Sequence, residues 1–250
     1  MKFEIITLFP DYFSLSLKQS LIGKAWDKKL FDIEIIHLRD FATDKHRTVD
    51  DAPFGGGGGM VLKVEPLDRC LHALGYQRRQ DGGNADRPER IILTSAAGKL
   101  FSQRRAIEYS LLERVVMICG HYLGVDERII ELYDIDEVSI GDYVLSGGEP
   151  AAVVMVDAIA RLIPKVLGNF ESALDDSHMD QLVGAPVYTR DAEYAGLTVP
   201  EELLSGNHAE IRIFRRAQAI AKCAKNRPDL LDNADLTKQE LKILNENKND

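Results

Sequence analysis

Apolar residues gather first in Phe3–Phe9, and then in Phe31–His37, where Phe31, Ile33 and Ile35 alternate with Asp32 and Glu34. The first run reads as a strand, and period two predicts a strand in the second. Asp11–Lys18 between them predicts the start of a helix, so the chain opens as a βαβ unit. Three further apolar runs, Ile91–Leu93, Val115–Cys119 and Glu137–Ile140, lead into stretches of small or glycine residues: Thr94–Gly98, Gly120–Gly124 and Ser139–Pro150. Pro66–Leu74, Gln103–Leu112, Asp126–Leu132 and the mostly apolar Ala151–Leu162 read as helices, the last with Pro150 at its first position. Strand and helix in alternation predict an α/β fold whose buried parallel strands send their loops into one crevice. A loop such as Gly147-Gly148 fits close ligand approach or plain structural punctuation equally well.

Between these elements lie three irregular stretches. Arg39–Phe54 is polar and ends in five glycines, Gly55–Gly59. It fits a flexible linker or a backbone surface that a flat base or a phosphate can approach, and its place inside a domain favours the surface. Gln77–Pro88 has the composition of an exposed, mobile excursion. Ile163–Thr189 reads as a connection, giving a domain over residues 1–166, a linker over 167–189 and a helical domain over 190–250. In the last part Asn207 precedes Glu210 at capping distance, and Thr237 with Glu240 forms a capping box, marking two helix starts. On the first helix Ile213, Ala217, Ile220 and Ala224 form an apolar stripe. Arg212, Arg215, Arg216, Lys222 and Lys225 occupy the remaining arc, which is a solvated face or a polyanion contact.

Composition narrows the function classes. The 250 residues, 45% hydrophobic, suffice for a large core, and a net charge of −9 excludes indiscriminate polyanion binding while leaving room for a local basic groove. Cys70, Cys119 and Cys223 are too far apart for a zinc cluster or a disulfide framework, which fits a reducing cytoplasm. Glu4 and Pro10 interrupt the apolar N-terminus, so no signal peptide is expected, and no stretch is long and apolar enough to span a bilayer. The dinucleotide fingerprint and the P-loop are both missing, which argues against a Rossmann cofactor site and an NTPase.

Several blocks stand in a recognisable order: Arg47–Asp51, the glycine run closing with Met60, Gly120-His121-Tyr122, Gly124–Arg128, Ser139–Glu149 and Leu204–Arg212. Together they closely resemble the bacterial tRNA (guanine-N1)-methyltransferase family over nearly the whole chain. The resemblance implies methyl transfer from S-adenosylmethionine to N1 of guanine 37, just 3′ of a tRNA anticodon. It also implies a fold of the SPOUT class: an α/β parallel sheet ending in a deep trefoil knot, a small all-helical C-terminal domain, and a homodimer with composite active sites. Periodicity shows no knot, and the rule that connections are unknotted points the other way.

By the same resemblance the methyl donor is bound by Thr94, Ser95, Ala96, Gly120, Tyr122, Val138, Ile140, Gly141, Tyr143, Leu145, Gly147 and Gly148. Ala96 and Gly58 stand where proline is common, Leu123 where glutamate is usual, and Pro150 comes one residue early. Neutral guanine carries a proton on N1, so the chemistry needs a base there and a cation near O6. The resemblance assigns these roles to Asp176 and Arg161. Spacing alone leaves Asp175 as a rival base, and both carboxylates could be a solvated turn. Asp50, Gly59, Ser205, Asn207 and His208 are expected to place the guanine and its neighbours, with Arg47, Arg212 and the adjacent arginines on phosphate. Mg²⁺ enters as an auxiliary ion by resemblance only; no carboxylate cage for it is visible and no metal site is assigned. Competing readings are a non-catalytic RNA-binding protein of the same fold and a SPOUT enzyme acting on another nucleotide.

Overall fold

The computed structural model describes residues 1–84, 87–168, 176–232 and 234–246. The chain divides into two compact units, Met1–Gly168 and Asn169–Asp250. The first unit is α/β. Its sheet is built from β1 (Lys2–Thr7), β2 (Asp32–His37), β5 (Glu89–Leu100), β6 (Arg114–Cys119) and β7 (Ile135–Ser139), in the order β2-β1-β6-β5-β7. Every pairing is parallel, as the apolar runs predict. Helices α1 (Asp11–Ser16), α2 (Ser20–Asp27), α3 (Val64–Ala73), α4 (Gln103–Ser110), α5 (Arg128–Leu132) and α6 (Glu149–Ala160) surround it.

Burial on both faces explains why these strands are nearly continuous in apolar residues. Phe3, Ile5, Val115 and Met117 point to one side and pack on Ala152, Met155, Val156 and Ile159 of α6. Ile6, Val116, Ile118 and Leu93 point to the other and pack on Leu67 and Leu71 of α3 with Ile129 of α5. One polar member, Glu4 of β1, is satisfied at the opposite end from the crevice. There Glu4, 2% exposed, accepts from Arg114 at 2.7 Å and Lys2 at 2.7 Å.

Four features depart from the sequence reading. Thr94–Gly98 is part of β5, whose pairing with β7 slips between Thr94 and Lys99, so the expected loop is a bulge within a long strand. Helix α6 begins at Glu149, which places Pro150 second, where its missing N–H is still harmless. The glycine run is the turn of a short antiparallel ribbon, β3 (Asp50–Asp51) and β4 (Val61–Leu62). The stretch expected to be mobile is tied down where it is described. Arg78 holds Asp68 through two hydrogen bonds of 2.9 and 2.5 Å, and buried Asn84 bonds both the N–H and C=O of Gln77. Residues 85 and 86 lie outside the described residues.

The second unit is mostly helical, but it also contains a hairpin of Glu193–Tyr194 and Leu197–Thr198, so "all-helical" is corrected. Its long helix is His208–Asn226, capped by Asn207, whose side chain accepts from Ala209 N–H at 3.1 Å. The capping box is reciprocal: Thr237 N–H donates to Glu240 at 2.7 Å and Glu240 N–H to Thr237 at 3.3 Å. The buried stripe is Ala219, Ile220 and Cys223 with Leu182 and Leu244, while Ile213 is 69% exposed and outside it.

Candidate active site

At the C-terminal ends of β5, β6 and β7 the chain encloses a cavity of about 470 Å³. All twelve positions assigned to the methyl donor line it. Thr94 is part of its lining. Its hydroxyl donates to the Ile118 carbonyl at 3.1 Å and accepts from Gly120 N–H at 3.3 Å, bridging the exits of β5 and β6. Ser95 then donates to Glu137 at 2.8 Å and fixes the bulge against β7.

The third loop returns over these strand ends. Gly148 N–H donates to the Gly120 carbonyl at 2.8 Å, and a Cβ on Gly148 would stand 1.9 Å from the Thr94 hydroxyl oxygen. Glycine there is a packing requirement. At Gly141 the reason is double: φ is +150°, and a Cβ would meet the Tyr143 ring at 2.4 Å. Tyr143 in turn donates to the Ile140 carbonyl at 3.1 Å, closing the loop on itself. The three loops thus meet through backbone and small side chains, Leu93, Ile130, Ile140 and Leu145 add apolar wall, and Tyr122 and Tyr143 are about half exposed. Such a surface offers N–H and C=O groups to a purine and room for a bent, amphipathic ligand. Tyr122 holds φ of +60°, a conformation unusual outside glycine and asparagine. Desolvation first, and then the nearby Asp50 carboxylate, push its phenol above the ordinary value.

The glycine ribbon is laced to the second loop. Leu123 N–H donates to the Met60 carbonyl at 3.0 Å, Leu62 N–H to Gly124 at 3.0 Å, and Asp126 N–H to Leu62 at 2.9 Å. Asp50 and Gly59 thus flank the cavity, with the Leu123 side chain 3.0 Å from the position of a Cβ on Gly59. Apolar contact occupies the place where the resemblance expects a carboxylate. Arg47, at φ of +52°, is paired with Asp40 at 3.1 Å. Arg161 follows directly on α6 as its C-cap, half-buried.

Asp176, Ser205, Asn207, His208 and Arg212 belong to the second unit. Asp176 is exposed and opens a closed turn: its carbonyl accepts from Met179 N–H, Ser177 accepts from Gly184 N–H at 2.8 Å, and Leu182 anchors the turn in the core. Its rival Asp175 lies outside the described residues, as does the rest of 169–175. Ser205 accepts from Asn207 N–H at 3.1 Å just before the long helix, whose His208 and Arg212 are exposed. Arg216 departs from the expected phosphate face, because it is paired with Asp180 and with Glu240, the latter at 2.6 Å. Sequence reasoning counted its charge and missed its partners, which only folding of the second unit brings near. It also missed Thr7 and Glu149, a buried pair that touches the third loop from behind. Glu149, a carboxylate in an otherwise apolar helix face, was the available signal.

Among the described residues no three His, Cys, Asp or Glu side chains cluster as a metal site would require, and no helix is long and apolar enough to cross a membrane. Residues 1–233 match the model of the tRNA (guanine-1)-methyltransferase TrmD family. A tRNA (guanine-N(1)-)-methyltransferase of Geobacter metallireducens is 49% identical, covering 98% of this chain and 96% of its own. Proteins of the same name from Latilactobacillus sakei and Dehalococcoides mccartyi are 47% and 46% identical. They cover 99% and 98% of this chain, and 98% and 96% of their own lengths.

Proposed function

The chain belongs to the tRNA (guanine-1)-methyltransferase family, and on that premise we propose that it transfers a methyl group from S-adenosylmethionine to N1 of guanine 37 of tRNA. The observation that carries the proposal is the convergence of all twelve donor positions on one cavity. Bound there, the donor supplies an electrophilic methyl carbon on sulfur. Backbone groups of the three loops hold its purine, and Gly147 and Gly148 leave it space. Asp50, Gly59 and the second unit's Ser205, Asn207 and His208 place the guanine, and Arg47 and Arg212 meet phosphate. Single-stranded anticodon-loop bases can be splayed and read by such a surface.

The protein's chemical work is at the guanine. Asp176 accepts the N1 proton, which frees the lone pair for attack, while Arg161 stabilises charge gathering on O6. Having the base on a separate unit lets catalysis wait until substrate has ordered it. The finer architecture belongs to the same proposal: cytoplasmic location, a homodimer whose sites draw Asp176 from the partner subunit, and a knot. Support for the knot is the path of the chain. It leaves β7 at the sheet edge, crosses the ends of β5 and β6, and packs α6 across β1 and β6, while Lys99 and Leu100 pair along β7. The presence of Arg161 and Asp176 together speaks against a binding protein without catalysis.

Incubation with labelled donor and tRNA transcripts bearing guanine or adenine after the anticodon tests the activity. Guanine-dependent methyl incorporation is expected, and its absence overturns the proposal. Asp176→Ala should abolish transfer, by at least about a hundredfold, with donor affinity intact; full activity would move the base to another group. Subunits carrying Asp176→Ala mixed with subunits carrying Arg161→Ala should regain activity, and failure despite subunit exchange would exclude composite sites.

A further inference from the structure

Behind the cavity lies a buried polar contact between the first strand and the last helix of the sheet domain. Thr7, 1% exposed, ends β1, and Glu149, 3% exposed, begins α6. The Thr7 hydroxyl donates to Glu149 Oε1 at 2.7 Å across 142 residues of sequence. Burying a carboxylate is costly even when it is satisfied, and the rest of the buried face of α6 is apolar. What Glu149 touches accounts for its presence. Its Oε2 lies 2.4 Å from the point where a Cβ on Gly147 would stand, and Nε2 of His121 lies 3.0 Å from the same point. The carboxylate and the imidazole edge thus fill the space that glycine leaves.

The same hydroxyl also accepts from Phe9 N–H at 2.9 Å, and the Phe9 ring packs 5.0 Å from the His121 ring, centroid to centroid. His121 Nδ1 is buried with no hydrogen-bond partner among the described residues, and the ring packs on Phe9 and Tyr122. One hydroxyl therefore fixes the start of α6 and, through Phe9, the second cavity loop.

We infer that the Thr7–Glu149 hydrogen bond is a positioning device for the methyl-donor site, setting the seat of α6 on β1 and thereby the placement of Gly147 and His121. This rests on the reading of the cavity as the donor site. Neither Thr7 nor Glu149 lines the cavity, so both act through the loops they hold.

Three substitutions separate this role from general stability. Thr7→Val keeps the shape and removes the hydroxyl; Thr7→Ser keeps the hydroxyl; Glu149→Gln keeps an acceptor oxygen for it. Calorimetry with S-adenosylmethionine and S-adenosylhomocysteine on the full chain reads donor affinity without turnover. Thr7→Val should weaken donor binding about tenfold and leave KM for tRNA unchanged. Thr7→Ser and Glu149→Gln should stay within about threefold of the parent. Parental affinity in Thr7→Val overturns the inference, as does equal loss in Thr7→Val and Thr7→Ser, or a matching rise in KM for tRNA. A parent protein that binds neither compound overturns instead the donor-site reading beneath it.

Discussion

Replacing Gly148 by alanine isolates the close packing of the three loops from every backbone effect. Gly148 sits at φ −82° and ψ −8°, which alanine adopts freely. The loss of unfolded-chain freedom would by itself stabilise the protein by about 0.4–1 kcal/mol. Space is the obstacle. The new Cβ would stand 1.9 Å from Thr94 Oγ1, 2.9 Å from the Cys119 Cα and 3.0 Å from the Gly120 nitrogen, where ordinary contact begins at 3.4 Å. The Thr94 hydroxyl can swing aside only by giving up its bonds to Ile118 and Gly120, at about 1 kcal/mol each. The Cys119 and Gly120 backbone must also retreat by about half an ångström, inside a core where overpacking costs about 1–3 kcal/mol. The expected net loss is about 2–4 kcal/mol in stability, with donor affinity down about a hundredfold. Trp26 is the chain's single tryptophan and belongs to the first unit, so its fluorescence during urea unfolding reports that unit alone. Gly168→Ala, with nothing within 4 Å of the added carbon, is the control and should change stability by less than about 0.5 kcal/mol. A Gly148→Ala protein with the parent's unfolding midpoint and donor affinity would refute the packing argument.

Two further outcomes follow from the charges. Burial pushes the Cys70 thiol from 9.0 up to about 12 and the Tyr133 phenol from 10.0 up to about 12, and it raises Tyr76 and Tyr109 as well. The folded state therefore holds more protons than the unfolded state above pH 9. Stability conferred by these groups is complete below that point and is lost as pH rises toward 12, with a slope of about 1.4 kcal/mol per pH unit for a group such as Cys70. Urea midpoints followed by Trp26 should fall from pH 9 upward; a flat profile to pH 11 contradicts the burial of these groups. In the second unit, Arg212→Ala should weaken tRNA binding and lower its salt slope by about one, while Arg216→Ala should destabilise the unit through its lost partners Asp180 and Glu240. Equal salt slopes in the Arg212→Ala variant and the parent would remove Arg212 from the phosphate face.

Strand positions were legible because parallel strands buried on both faces must be apolar, and Ile91–Leu93, Val115–Cys119 and Phe31–His37 all fall within strands of one parallel sheet. Helix starts were legible where a side chain caps the backbone, as at Asn207 and Thr237. The helix α2 went unread, although Ile22, Gly23 and Ala25 form its buried side, because its amphipathic run is short and lacks a capping side chain. Thr94–Gly98 was misread since small residues suit a bulged strand as well as a loop. Ile213 and Arg216 mark the limit in the second unit. A helical stripe tells which residues share a face, but the partners that cover that face come from Leu182, Val183 and Ala185 and from Leu230 through Leu244, which the pattern does not encode. At the cavity the glycines were visible and their reasons were not: Gly148 is small for Thr94, Gly141 for Tyr143, and Gly147 for Glu149 and His121.

Loops that pack glycine against a neighbour also limit how the protein can escape a ligand that competes for the cavity. A compound held by the peptide groups of these loops would rest on contacts that no single codon change removes. Larger side chains at Gly120, Gly147 or Gly148 would collide with Thr94, His121 or Glu149 before they reached the compound. Resistance is easier to reach at the exposed Ala96, Leu123 and Tyr143, where a change meets at most Gly59 or the third loop itself. An inhibitor that stays deep and ignores those three positions would leave the enzyme few single-step exits.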